Sequence, residues 1–96
     1  MENRVEDIVK QLEFAVQKLH VQNRKEAYGV INSAAGTLFL FLEEAVGVEK
    51  VKMMLPEINI ALMQCLDAME RQDDVLVADI LEYELIPLLL QLEAEE

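Results

Sequence analysis

The chain has 96 residues, 53% of them hydrophobic and 28% charged, which is enough for one hydrophobic core and argues against disorder. Its net charge of −11 argues against binding to nucleic acid or to anionic membrane, and no apolar run is long enough to span a bilayer. A single cysteine excludes an internal disulfide, and the acidic start lacks the basic and apolar regions of a signal peptide. We therefore expect one cytoplasmic domain, residues 1–96, that takes no cofactor.

Apolar residues recur every three or four positions between residues 2 and 22, with charged residues opposite, which predicts an amphipathic first helix. Asn23 follows it, and Glu26 stands three residues further on. This spacing matches a capping box, so we expect the second helix to begin near Arg24.

The second helix is expected to reach about Val46 and to stop at Gly47, in the left-handed conformation that glycine adopts easily. Its first half contains the small residues Gly29, Ser33 and Gly36 on one face, where we expect a neighbouring helix to approach the backbone closely. Its second half is apolar on all sides, which predicts burial on more than one side.

A third helix is predicted from about residue 48 to residue 71, with Cys65 on its apolar stripe as a small core residue. Pro56 interrupts the segment, so it is either one kinked helix or a short helical turn followed by a new start. We favour one kinked helix, because the apolar stripe keeps its phase across the proline. Asp73 or Asp74 then caps a fourth helix, which is apolar on two sides and contains Pro87.

The links between these helices are short, so consecutive helices are expected to be antiparallel neighbours. The predicted fold is all-α: an up-down-up-down four-helix bundle with proline kinks in helices 3 and 4. Counted outward from the turn at residue 72, Pro56 and Pro87 fall at the same height. Phe39 or Phe41 could fill the space that two matched bends would open.

Tyr83, Glu84 and Pro87 form the most distinctive motif of the fourth helix. Proline removes one helical hydrogen bond, so the motif could border a groove that offers a phenol and a free carbonyl to a partner. The alternative is that Tyr83 packs into the core and hydrogen-bonds its hydroxyl at the edge, as buried tyrosines do.

Helices 2 and 4 carry more apolar surface than one bundle interior can hold, unless they form its innermost pair. The sequence therefore predicts a non-enzymatic interaction module, chaperone- or adaptor-like, that binds a partner helix or forms a homodimer through these helices. The acidic flank from Asp67 to Glu84 would steer a basic partner. Leu89→Asp is then expected to turn a dimer into a monomer or to expose an adhesive surface. The predicted anchors are Phe39, Phe41, Tyr83, Leu88, Leu89 and Leu92.

A metal-dependent enzyme is the alternative class. Asp79 and Glu82 resemble the second acidic element of the all-α nucleoside-triphosphate pyrophosphohydrolases, which hold Mg²⁺ with further carboxylates on a preceding helix. The upstream acidic pair Glu43 and Glu44 would lie about 20 Å from Asp79 at the helical rise per residue. A complete metal site would therefore need a second copy of the chain, and we expect no catalytic or metal-binding residue within one copy.

The segment DDVLVADILEYELIPLLLQL, residues 73–92, resembles the last helix of small uncharacterised helical proteins of Gram-positive bacteria. The general plan, a short acidic bundle with an apolar flank, also resembles the flagellin-export chaperones. Those chaperones bind a helical terminus of their partner along a hydrophobic surface. The resemblance thus implies an all-helical protein that binds a helix of another protein.

Overall fold

The structure, a computed structural model, describes residues 4–93 and contains four helices and no strand in that range. The all-helical prediction is confirmed, whereas the predicted start of the first helix at residue 2 lies outside the described residues. The fourth helix consists of two α-helical parts joined by a π-helical turn. The helices are α1 (Arg4–His20), α2 (Arg24–Glu44), α3 (Glu49–Glu70) and α4 (Asp74–Ile80, the π turn Leu81–Leu85, and Ile86–Glu93).

Apolar side chains from all four helices meet in one core, and no polar or charged side chain of the described residues is buried. Cys65 lies in this core, as predicted, and burial raises the pKa of its thiol to about 11. The thiol is therefore protonated at neutral pH and acts as a small hydrophobic group. The largest fully buried side chains include Ile8, Ile31, Leu38, Ile58, Leu62, Leu81, Leu85 and Leu89.

The turns after α1 and after α3 have the same backbone. Gln22 and Gln72 have positive φ angles of 62° and 57°. The N–H groups of Asn23 and Asp73 then donate to the carbonyls five residues back, at 2.8 and 2.9 Å, which is the bonding pattern of a Schellman motif. The side chains of Asn23 and Asp73 accept hydrogen bonds from the backbone N–H three residues on, at 3.3 and 3.2 Å. The predicted N-caps at these two residues are confirmed.

The link between α2 and α3 differs from the prediction. Helix α2 ends at Glu44, before Val46, and no described glycine has a positive φ, so Gly47 is not a left-handed terminator. The chain instead makes a short turn in which the Val48 N–H donates to the Ala45 carbonyl at 2.9 Å. Between residues 4 and 93, the left-handed residues are the two glutamines of the other turns.

The small-residue face of α2 was also assigned to the wrong side. Gly29, Ser33 and Gly36 are exposed, and apart from the adjacent backbone of α2 nothing lies within 4 Å of a Cβ atom built at either glycine. The buried face of α2 instead carries Ala27 and Ala34 among larger apolar residues. The small side chains on the buried face of α2 are therefore alanines, and its glycines lie at the surface.

Helix α1 packs against both α2 and α4, and α3 packs against α4 and, over a shorter stretch, against α2. Helices α2 and α4 make no comparable contact within the described range, so they are not the innermost pair. Arg4 at the start of α1 pairs with Glu44 at the end of α2, at 3.1 Å. The guanidinium of Arg4 also lies 5.2 Å from the centre of the Phe41 ring, a cation–π distance.

The starts of α2 and α4 are joined by a polar cluster. Nε of Arg24 donates to both carboxylate oxygens of Asp74 at 3.0 and 2.9 Å, and the Tyr28 hydroxyl donates to Oδ1 of Asp74 at 2.6 Å. Burial alone would raise the pKa of the Asp74 carboxyl, but the bonds from Tyr28 and Arg24 outweigh it and the pKa is lowered. Burial and the neighbouring carboxylate raise the pKa of Tyr28 to about 12.

The π turn of α4 keeps one face of the helix in the core. The Ile86 N–H donates to the Leu81 carbonyl five residues back instead of four, so this turn holds one extra residue. Pro87 follows directly and has no N–H to donate, so the hydrogen-bond ladder has to change here. Helix α3 continues through Pro56 without a break, so the alternative of a new helix start at the proline is wrong. No described helix has the length and apolar character of a membrane span.

Candidate interaction surface

Tyr83 lies in the π turn and is the most exposed aromatic side chain of the described residues, with 72% of its surface accessible. The alternative that Tyr83 packs into the core is therefore wrong. Its neighbours on the solvent side of α4 are acidic, because Glu82 and Glu84 flank it in the chain. Tyr83 stands between two surface grooves, one on each side of α4.

The first, the α3–α4 groove, encloses about 380 Å³. Its apolar part combines Ile60, 59% exposed, with the half-buried Pro87 and Leu88. Carboxylates stand on both of its sides, Glu57 on α3 and Glu84 on α4. The groove is lined by Glu57, Ile60, Ala61, Tyr83, Glu84, Pro87, Leu88 and Gln91. The sequence motif Tyr83, Glu84 and Pro87 thus borders a groove.

The second, the α1–α4 groove, encloses about 590 Å³ and is more polar. Its apolar floor is made by Val16 and Ile86, which are both buried. Nε2 of His20 and Oε1 of Glu82 lie 2.9 Å apart and close one side. The groove is lined by Glu13, Val16, Gln17, His20, Glu82, Tyr83 and Ile86.

The remaining predicted anchors lie in different places. Phe39 is exposed on α2, Phe41 is half-buried beside Arg4, and Leu88 is half-buried in the α3–α4 groove. Leu89 and Leu92 are buried in the core, so they cannot contact a partner while the bundle is folded. We expect Leu89→Asp to disturb folding, because it would bury a charge, and not to report on an interface.

The apolar surface predicted for helices 2 and 4 together is not one continuous face at Tyr83. Both grooves beside Tyr83 are formed by α4 with α1 or α3, and no residue of α2 lines either of them. The physical reason is the packing order, since α1 and α3 are the neighbours of α4. The side chains of Phe39 and Leu40 are exposed on α2, and neither lines a groove beside Tyr83.

Sequence reasoning missed two members of these grooves. Ile60 lies off the apolar stripe of α3, and an aliphatic residue outside the buried stripe was a signal for a surface contact. The contact of His20 with Glu82 joins residues that are 62 positions apart, and no pattern within the chain connects them.

The two acidic residues considered for metal binding, Asp79 and Glu82, have different surroundings. Asp79 is exposed, and Glu82 is already engaged by His20. Within residues 4–93, no group of three or more histidine, cysteine or acidic side chains is arranged to hold a metal ion. Nothing in the geometry of one chain favours the hydrolase, which remains a prediction.

A sequence model of the family DUF8042, described as a domain of unknown function, matches residues 1–95. The chain therefore belongs to that family. No curated protein and no solved structure matches the chain.

Proposed function

We propose that this member of the DUF8042 family is a non-enzymatic interaction module that binds a helix through the surface of α4 around Tyr83. The observation that supports this most is the position of Tyr83, a 72% exposed aromatic residue raised between two grooves. Tyrosine is enriched at the centres of protein interfaces, because its ring gives large apolar contact and its hydroxyl can hydrogen-bond.

The π turn adds a second argument. Such turns cost regular hydrogen bonding and occur often at functional sites. Here the wide turn carries Glu82, Tyr83 and Glu84 at the surface, while Leu81 and Leu85 stay in the core. The distortion therefore presents a polar and aromatic ridge without loosening the apolar packing beneath it.

The proposal includes an up-down-up-down order of the four helices, with bends at Pro56 and Pro87, and a cytoplasmic location. Matched bends at one height would widen the space between α3 and α4. The α3–α4 groove supports this geometry, because Glu57, next to Pro56, and Pro87 line it together. The occupant is a helix of a partner protein or of a second copy, as in chaperone- or adaptor-like proteins.

A photo-crosslinking amino acid at position 83 tests the proposal in cells that naturally produce the protein. Met53 is the matched control, because it is also 72% exposed and lines neither groove beside Tyr83. We expect a covalent adduct with one protein from position 83 and none from position 53. The mass of the adduct distinguishes a partner from a second copy, since one chain weighs 11.0 kDa. Equal adducts from both positions, or none from position 83, would contradict the proposal.

A further inference from the structure

The α3–α4 groove has the features of a site for a helix. Its members on α4 run from Tyr83 to Gln91, which at the helical rise per residue is about 12 Å, or two helical turns. A helix laid into it would present apolar side chains at positions i, i+3 or i+4, and i+7. Ile60, Pro87 and Leu88 provide the apolar surface that such side chains would cover.

The charge of this groove is not balanced by the protein itself. Neither the Glu57 side chain nor the Glu84 side chain has a hydrogen-bond or ion-pair partner within the described residues. Arg71 is the one lysine or arginine between residues 53 and 96, and it pairs with Asp67 at 3.0 Å. The negative charge around the groove is therefore available to an incoming cation.

Tyr83 lacks a cation that other rings of the molecule have. Nζ of Lys18 lies 5.2 Å from the centre of the Phe14 ring, and Arg4 covers Phe41 at the same distance. No described side chain covers Tyr83 in this way, although its ring is more exposed than either of the others. A lysine or arginine of a partner could stack on this ring while it neutralises a neighbouring carboxylate.

We propose that the α3–α4 groove binds a basic amphipathic helix of another protein. The apolar stripe of that helix covers Ile60, Pro87 and Leu88, and its lysines or arginines pair with Glu57 and Glu84. This inference rests on the proposed interaction function and specifies the partner of the same surface.

A second copy of the chain is the less suitable occupant. A two-fold contact of the groove with itself would bring Glu57 and Glu84 of both copies together, and each copy has a net charge of −11. The α1–α4 groove is also less suitable for this helix. Its apolar floor is buried, and His20 already pairs with Glu82 there.

The test uses two designed peptides of about 20 residues, with ends capped, the same leucine stripe and opposite flanking charges. One has lysines beside the stripe and the other has glutamates. Titration calorimetry at low salt should show binding of the lysine peptide and at least about tenfold weaker binding of the glutamate peptide, because only the first complements the groove. The affinity for the lysine peptide should fall as salt screens the charges.

Two serine variants locate the binding site. Ile60→Ser should weaken binding of the lysine peptide by at least about fivefold, as truncation of an interface residue does. Met63→Ser is the matched control and should leave the affinity within about twofold. Met63 is 70% exposed on the same helix and does not line the groove. Both side chains are largely exposed, so circular dichroism and thermal melting should show that both variants fold.

The double variant Glu57→Lys, Glu84→Lys should reverse the preference and bind the glutamate peptide more tightly. Equal affinity of the two peptides for the native protein, no binding of the lysine peptide, or equal losses in Ile60→Ser and Met63→Ser would each overturn the proposal. A native dimer that Ile60→Ser converts to a monomer would assign the groove to a second copy and would also overturn it. If position 83 still crosslinks a protein in those cases, the interaction function stands and only the basic helix is rejected.

Discussion

Helices α1 and α2 form one hairpin, and α3 and α4 form another. The turns within the two hairpins have the same backbone, yet the two hairpins present different surfaces. In each turn a left-handed glutamine is followed by a capping residue, Asn23 or Asp73. The first hairpin then covers Phe14 and Phe41 with its own cations. The second hairpin leaves Tyr83 exposed among carboxylates. The same turn geometry thus occurs in two hairpins whose surfaces differ in charge and in aromatic exposure.

The two hairpins also differ in the spacing of the buried residues along their second helices, α2 and α4. Helix α2 buries Ala27, Ile31, Ala34, Leu38 and Leu42, in steps of three or four residues that a regular α-helix keeps on one face. The buried residues of α4 include 77, 81, 85, 89 and 92. In a regular α-helix, three successive steps of four would turn residue 89 about 120° away from residue 77. The extra residue of the π turn removes that rotation. One inserted residue can thus bring a side chain to the surface while the core residues on both sides of it stay in register.

The largest expected effect comes from deleting one residue in each second helix. Deletion of Tyr83, combined with Pro87→Ala to restore the backbone donor, should leave a regular α-helix whose core residues keep the spacing 4-3-4-3. Deletion of Gly36 should rotate Leu38 and Leu42 by about 100° away from the core. We expect the first variant to unfold cooperatively, within about 2 kcal/mol of the native protein, and the second to lose cooperative unfolding, as urea titrations would show.

The opposite result would change the interpretation of α4. If deletion of Tyr83 abolished folding while deletion of Gly36 did not, the π turn would not be the place where the extra residue is accommodated. Pro87→Ala alone is the control for the proline.

A smaller effect is expected at the contact between the two turns, where Arg24 and Asp74 begin the second helix of each hairpin. Arg24→Asp or Asp74→Arg alone should lower the free energy of unfolding by about 1–2 kcal/mol, because each leaves like charges together and removes a charged hydrogen bond. The double exchange should recover part of that loss. Additive losses in the double variant would show that the two residues are not coupled.

The same contact gives a pH dependence. Because the folded protein lowers the pKa of Asp74 below its ordinary value of 3.8, the stabilisation is fully present above that value. It is lost as the pH falls through the lower folded pKa. The difference in unfolding free energy between the native protein and Asp74→Asn should therefore shrink with acidification below about pH 4. A difference that stays constant down to pH 2 would contradict this account.

The smallest effect is expected from the left-handed residues themselves. Glycine adopts positive φ without the steric cost that glutamine has, so Gln22→Gly and Gln72→Gly should each raise the free energy of unfolding by about 0.5–1 kcal/mol. Because the two turns share one backbone, the two gains should be similar. Gln22→Ala and Gln72→Ala, which keep the steric cost, should give no gain. Thermal melting measures both pairs, and a gain in one turn alone would show that the turns are not equivalent.

Much of the fold could be predicted from the sequence where local rules act alone. The caps at Asn23 and Asp73 follow from the hydrogen bonds of a short polar side chain, which need no tertiary partner. The continuity of α3 through Pro56 followed from the unchanged phase of its apolar stripe. The predicted termination at Gly47 was wrong because this link makes a short turn without any left-handed residue.

The candidate site could be predicted in part. The motif around Tyr83 and Pro87 was visible, because a proline within an apolar helix marks a change in hydrogen bonding. The role of Ile60 was missed, since it depends on which helix lies beside α3. Leu89 and Leu92 were placed at an interface although they are core residues, because helix 4 has two apolar stripes and the sequence does not tell which of them faces inward.

The sequence by itself determined the four helices, the caps of α2 and α4 and the acidic character of the second half. These depend on contacts within a few residues along the chain. Only the tertiary structure decided which face of α4 is buried and that Tyr83 stands between two grooves. The reason is that one residue turns a helix by about 100°, so a single wide turn redirects every side chain after it.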